Sequence, residues 1–120
     1  MRIFKNTWFT RFAGKEDITD GELKEAVNQL ETGQADADLG GGVYKIRIAR
    51  PGEGKAGGYR VIVFFKSEER TFFVYGFAKS AMSNIDEKQL KDFKRTAKAV
   101  LTLTEKQLDD IIKMGKYLEI

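Results

Sequence analysis

Three successive runs, Val43 to Ala49, Tyr59 to Lys66 and Arg70 to Phe77, alternate with a period of two and are rich in β-branched and aromatic residues. A chain with that pattern is committed to strands. The short polar turn Ser67-Glu68-Glu69 joins the last two, and the runs read as an antiparallel meander. What flanks them is helical in period. Thr7 is placed to cap a helix that carries Trp8, Phe9, Phe12 and Ala13 inward and stops at Gly14. The capping box Thr19 to Glu22 opens a second helix with Leu23, Ala26, Val27 and Leu30 on one stripe and Gly33 as its stop. After the meander a helix begins near Asp86, with Leu90, Phe93, Ala97, Val100 and Leu101 on its buried face. A further capping box, Thr104 to Gln107, starts another, with Leu103 stapling onto Leu108, Ile111 and Ile112 extending the stripe, and Gly115 ending it.

Helices before and after a central sheet make this an α+β fold. Met1 to Asn6 supplies an N-terminal strand, and the apolar tail Tyr117 to Ile120 is long enough for a short C-terminal one. The expected architecture is an antiparallel sheet packed with N-terminal and C-terminal helices, in a single domain over residues 1–120. Nine Phe among 120 residues, with one Pro, fit a packed core. Ala35 to Gly42 reads as turns. The segment Arg50 to Gly58 is too glycine-rich to pack and reads as a mobile loop.

Inventory narrows the chemistry. With no Cys there is no disulfide, zinc-thiolate site or thiol nucleophile, and with no His the commonest general base and transition-metal ligand is missing. Catalysis must run on Lys, Arg, Tyr, Asp or Glu. No cofactor and no metal are expected. Met1 to Lys5 opens no signal-peptide apolar region, and no apolar run reaches membrane-spanning length, so a cytoplasmic protein without a membrane partner is expected. The net charge of +3 is mild, and the distribution of charge has to decide the partner.

Two motifs fail on context. Gly52-Glu53-Gly54-Lys55-Ala56-Gly57 matches G-x-G-x-x-G but leads into a strand where a dinucleotide site needs a helix N-terminus. It is no phosphate-binding P-loop either, because Ala49 stands where the leading Gly belongs and Ala56 follows Lys55. Asp36-Ala37-Asp38 resembles a divalent-metal pair without further oxygen ligands, and a turn with its side chains bonded to local backbone is the better reading.

Cations offer more. Lys45 and Arg47 are two apart on one strand and share a face, with the small Val43 and Ala49 beside them. An antiparallel meander brings Arg60 and Lys79 toward the same concavity, with Arg50 and Lys55 on the adjoining loop. Singly, each is a solvated strand cation that keeps a sheet from aggregating; together they point to nucleic acid. Lys91, Lys94, Arg95 and Lys98 share one helix face, which reads first as the wet side of an amphipathic helix and second as a phosphate contact.

The runs Gly40 to Arg50, Gly57 to Arg60 and Phe73 to Ser80 closely resemble the RelE/HigB-like toxins of type II toxin-antitoxin systems. More narrowly they are similar to the bacterial and phage-derived subgroup carrying Ala-Asp-Leu-Gly-Gly-Gly, here Ala37 to Gly42, and Tyr-Gly-Phe-Ala-Lys-Ser, here Tyr75 to Ser80. The similarity covers nearly the whole chain. It implies a RelE-like fold and an endoribonuclease that cuts mRNA in the ribosomal A site and is silenced by a cognate antitoxin, expected to be a helix-turn-helix protein.

Attack of a 2′-hydroxyl on its neighbouring phosphate needs a base, charge stabilisation and a proton for the departing 5′-oxygen. Lys45, crowded by Arg47 and Arg60, is the candidate base, because like charges disfavour its protonated form. Arg47 and Arg60 are the expected phosphate clamp, and Lys79 the group that protonates or stabilises the leaving oxygen. Arg50, Lys55 and Tyr59 are the expected further RNA contacts. Family members often place a Tyr or His soon after the last strand; Ser80 to Ile85 holds neither, which leaves the general acid unassigned. Two alternatives share the scaffold: a ParE-like inhibitor of DNA gyrase, and a non-catalytic phage-derived binding module.

Overall fold

A computed structural model describes residues 1–50, 54–80 and 84–120, with the backbone alone at 54–56. In chain order its elements are β1 (Arg2–Asn6), α1 (Thr7–Lys15), α2 (Asp20–Glu31), β2 (Ala37–Gly40), β3 (Val43–Arg50), β4 (Gly54–Lys66), β5 (Arg70–Ala78), α3 (Glu87–Leu101), α4 (Glu105–Lys113) and β6 (Tyr117–Glu119). The strands form one sheet in the order β2-β3-β4-β5-β1-β6.

The meander β3-β4-β5 is antiparallel, as alternation predicts. The sheet as a whole is mixed, which corrects the wholly antiparallel expectation: β1 runs parallel to β5, pairing Arg2 with Arg70 and Phe4 with Phe72, and β6 closes antiparallel on β1. Side-chain period fixes a strand's faces but carries no information about its direction beside a distant partner. Ala37 to Gly40, expected within a turn, is the edge strand β2, paired Ala37 to Lys45 and Gly40 to Val43. The expected mobile loop is also shorter than its glycines suggest, because β4 begins at Gly54 and pairs it with Arg50. Pro51, Gly52 and Glu53 lie outside the described residues.

Three helices start at capping boxes; the sequence predicts the boxes at Thr19 and Thr104, and at Asp86 only the helix start. Thr19, Asp86 and Thr104 each accept from the backbone amide three residues on, and Glu22, Gln89 and Gln107 return the contact. The start of α1 differs. Asn6, not Thr7, caps it, accepting from the Phe9 amide at 2.7 Å. Gly14 is an ordinary helical residue, and the left-handed position after the helix falls on Asp17, at φ 56°.

Both faces of the sheet are covered. Phe9, Leu23, Val27 and Leu30 of α1 and α2 pack on Ile46, Ile48, Tyr59, Val61, Val63 and Phe73. Ala97, Val100, Leu101 and Leu108 of α3 and α4 pack on Phe4, Val43, Ile62, Phe64, Phe72 and Val74 on the other side. A strand buried on both faces has no polar side, which explains the unbroken apolar runs Val61 to Phe65 and Phe72 to Val74. Trp8, expected inward, lies over Phe12 and Tyr75 with 43% of its surface exposed.

Two arginines sew the C-terminal helices to the sheet. Arg70 is buried and donates from Nη1 to the Val100 and Leu103 carbonyls, at 3.1 and 2.9 Å, satisfying acceptors that the end of α3 leaves open. Arg2 binds Glu105, Asp109 and Glu119 at 2.6 to 3.0 Å. Hydrogen bonds from Arg2 hold the Glu119 carboxyl below its ordinary value of 4.5, and the Glu68 amide with the Ser67 hydroxyl does the same for Glu31. Because these folded values are lowered, the unfolded chain takes up the protons first as pH falls. Their stabilisation is complete above the ordinary carboxylate range and is lost as pH falls through the folded values. Arg2→Gln is therefore expected to cost stability at neutral pH and to flatten the acid limb of a urea-midpoint profile between about pH 5 and pH 3. An acid limb as steep as that of the unaltered chain would contradict the assignment.

Candidate nucleic-acid interface

Register brings the strand cations together. Arg47 and Arg60 are directly opposed partners across β3 and β4, and Lys45 lies opposite Ile62, one same-face step along. Opposed residues share a face. Here it is the face carrying Val43, Ile62 and Phe64, beneath α3. Val43 is fully buried there and forms part of the floor, so only the end of the strand beyond it is open.

Accessibility divides the cations. Arg47 keeps 44% of its side chain exposed, whereas Lys45 keeps 16% and Arg60 only 5%. Burying two cations side by side demands a counter-charge. Asp36 supplies it. Its Oδ1 accepts from Arg47 Nε at 2.7 Å, and its Oδ2 lies 3.7 Å from Lys45 Nζ and 4.0 Å from Arg60 Nε. The Asp36 amide donates to the Lys45 carbonyl at 2.8 Å, which fixes the backbone of the acid beside the strand it neutralises.

Sequence reasoning missed this residue. The turn reading of Asp36-Ala37-Asp38 holds for Asp38, whose Oδ1 accepts from the Gly40 amide at 2.9 Å, but Asp36 is the hub of a cation cluster. No local signal marks it, since its partners stand 9, 11 and 24 positions away. Lys45 is accordingly not under unrelieved like-charge crowding, because a carboxylate sits among the three cations. Among the described residues no group of three or more acidic, His or Cys side chains could hold a metal ion.

Other candidates separate from this cluster. The Lys79 amide donates to the Gly58 carbonyl at 3.3 Å, extending the β4–β5 ladder past the Arg60–Phe77 pair. Alternation carries Lys79 to the Arg60 side, where it is exposed and forms no ion pair among the described residues. Tyr59 does not join them. It is 3% exposed, packs edge-on to Phe12 on the opposite face, and its hydroxyl donates to Glu16 at 3.1 Å. Arg50 lies over the Tyr59 ring, 5.7 Å from its centroid, and so accompanies Tyr59 instead of the cluster. The Lys55 side chain lies outside the described residues.

Lys91, Lys94, Arg95 and Lys98 are exposed along α3. Arg95 pairs with Asp92 at 3.4 Å, and the stem of Lys94 drapes over Gly40 and Gly41. No helix among the described residues is long and apolar enough to cross a membrane. The six-stranded sheet is flanked by two helical pairs and carries a Lys/Arg cluster gathered around Asp36 on the paired strands β3 and β4. The family model described as RelE toxin of RelE / RelB toxin-antitoxin system matches residues 1–120. The chain thus belongs to the RelE toxin family, whose members pair with an antitoxin.

Proposed function

We propose that this chain is a metal-independent endoribonuclease that cuts mRNA on the ribosome, in the cytoplasm, and is held silent by a small helix-turn-helix antitoxin. The observation that carries the reading is the Arg47–Arg60 cross-strand pair with Lys45 beside it on the same face. Two guanidinium forks on one face can clamp a phosphodiester from two directions, and arginine keeps its charge at any working pH. Family membership supports the same direction, since toxins of this family generally cleave RNA.

In this mechanism the substrate 2′-oxygen bonds to the adjacent phosphorus while the bond from phosphorus to the 5′-oxygen breaks. The 2′-hydroxyl proton passes to a base, for which Lys45 is the nearest candidate, and a proton reaches the departing 5′-oxygen. Arg47 and Arg60 stabilise the charge that builds on the phosphoryl oxygens. Lys79, exposed on the Arg60 side of the sheet, serves the leaving group in this reading. The products are a 2′,3′-cyclic phosphate and a 5′-hydroxyl.

Incubation of the purified chain with ribosomes programmed with mRNA tests this directly. Cleavage is expected, with fragments ending in 2′,3′-cyclic phosphate and 5′-hydroxyl. Intact mRNA, with DNA supercoiling by gyrase abolished instead, would overturn the reading in favour of a gyrase inhibitor. Intact mRNA and undisturbed gyrase would leave a binding module.

A further inference from the structure

The cluster is shut as it stands. Of its three cations only Arg47 offers appreciable surface, and the Asp36 carboxylate, itself 15% exposed, lies against all three. An incoming phosphate meets Arg47 first and finds Lys45 and Arg60 already facing an anion. We propose that Asp36 is a resident anion that closes the phosphate site, and that the substrate's phosphate takes the place of its carboxylate. The inference rests on the reading of Arg47 and Arg60 as a phosphate clamp.

The geometry supports displacement over a fixed role. A carboxylate and a phosphate present the same kind of oxygen acceptor to a guanidinium. Arg47 contacts Asp36 through Nε alone at 2.7 Å, and the Lys45 and Arg60 contacts, at 3.7 and 4.0 Å, are beyond ordinary hydrogen-bond length. One short contact and two long ones hold the acid in place. The Asp36 backbone is tied to β3, so rotation of the side chain alone moves the carboxylate out and leaves the strand where it is. Charge agrees with this. With Asp36 in place its carboxylate lies against Arg47 and Arg60; with it out, both guanidiniums can turn to the phosphate, whose charge increases as the 2′-oxygen attacks.

The consequence is selectivity for a substrate positioned well enough to displace an internal competitor. A loosely held phosphate loses to Asp36, whose effective concentration at the site is set by a covalent tether.

The test uses a fluorescein-labelled single-stranded 2′-O-methyl RNA oligonucleotide, which has no free 2′-hydroxyl and cannot be cut. Its anisotropy titration at fixed ionic strength compares the intact chain with Asp36→Asn, Asp36→Ser and, as a control of equal charge change two residues away, Asp38→Asn. Asp36→Asn and Asp36→Ser are expected to tighten binding about tenfold and Asp38→Asn less than about threefold, the scale of one close charge contact against one distant charge. Thermal melts confirm that each variant is folded. In the intact chain, saturating oligonucleotide is expected to shift the Arg47 Nε–Hε resonance as the Asp36 contact is replaced, and inorganic phosphate at the same concentration is not.

Equal tightening by Asp36→Asn and Asp38→Asn would overturn the proposal, because it would reduce Asp36 to general charge. Weaker binding by the Asp36 variants would make Asp36 a support for the cations, and absence of binding in every form would remove the phosphate site altogether. Failure of the nuclease reading registers separately, as uncut ribosome-bound mRNA with the binding differences intact.

Discussion

Arg47→Ala is expected to lower mRNA cleavage by about a hundredfold to a thousandfold, the usual effect of removing one preorganised donor from a developing oxyanion. Its melting temperature should stay close to that of the unaltered chain. The separation follows from exposure: Arg47 keeps 44% of its side chain in solvent and spans no buried gap, so truncation leaves no cavity. The lost contact to Asp36 is a half-exposed ion pair of modest worth. Arg60 would be the poorer test. At 5% side-chain exposure its loss would leave Asp36 and Lys45 rearranging in a partly buried space, mixing stability with chemistry. Arg47→Lys refines the result. It keeps the charge and loses the planar fork, so an activity between those of the two other forms is expected if the clamp is bidentate. Single-turnover cleavage of ribosome-bound mRNA measures all three. Arg47→Ala activity within about threefold of the unaltered chain would remove Arg47 from the reacting phosphate.

How far the sequence discloses this arrangement depends on whether a contact is local. Capping boxes at Thr19 and Thr104 are contacts between residues three apart and are legible without a structure, as is the helix start near Asp86. Alternation in Val43 to Ala49 likewise puts Lys45 and Arg47 on one face, because strand pleating alone decides it. The direct Arg47–Arg60 opposition lies a step further, because the turn Ser67 to Glu69 sets only the β4–β5 register and the β3–β4 connection is glycine-rich; the meander alone brings Arg60 no closer than the same concavity. Long-range matters are not legible. The parallel union of β1 with β5 spans 68 residues between paired positions, and nothing in Met1 to Asn6 names its partner. Strand β2 is disguised by composition, because Asp38, Gly40 and the two glycines that follow the strand read as turn chemistry until β3 is laid beside it. Asp36 is hidden for the same reason, with its role set by the side chains that β3 and β4 bring to it. Tyr59 and Arg60 show how much one step of register decides: adjacent in sequence, they serve opposite faces.

Gly42→Ala is expected to destabilise the fold by about 2 to 4 kcal/mol, from a left-handed backbone cost and from overpacking acting together. Gly42 sits at φ +83°, where a side chain is strained whatever the space around it. The space is also taken. A Cβ there would stand 2.5 Å from Cδ1 of Leu101, which belongs to the last turn of α3 and is 9% exposed. That methyl can move only by repacking against Val43 and Phe64 or by lifting the end of α3. Gly41 provides the internal comparison. Its φ of +64° carries the same backbone cost, but a Cβ there meets Lys94 at an ordinary 3.6 Å, so Gly41→Ala should cost only about 1 to 2 kcal/mol. The difference between the two isolates the contact with Leu101. Combining Gly42→Ala with Leu101→Ala should recover part of the loss, because the smaller side chain leaves room for the added methyl, and a double-mutant cycle in urea reports the coupling. The effect reaches function through the same contact. The Gly40 to Gly42 turn seats α3 over the sheet and sets the start of β3, two residues before Lys45. Gly42→Ala is therefore expected to loosen the cation cluster as well, lowering cleavage at temperatures where Gly41→Ala remains active. Equal melting temperatures for Gly41→Ala and Gly42→Ala would show that Leu101 yields freely and that the turn does not fix the helix.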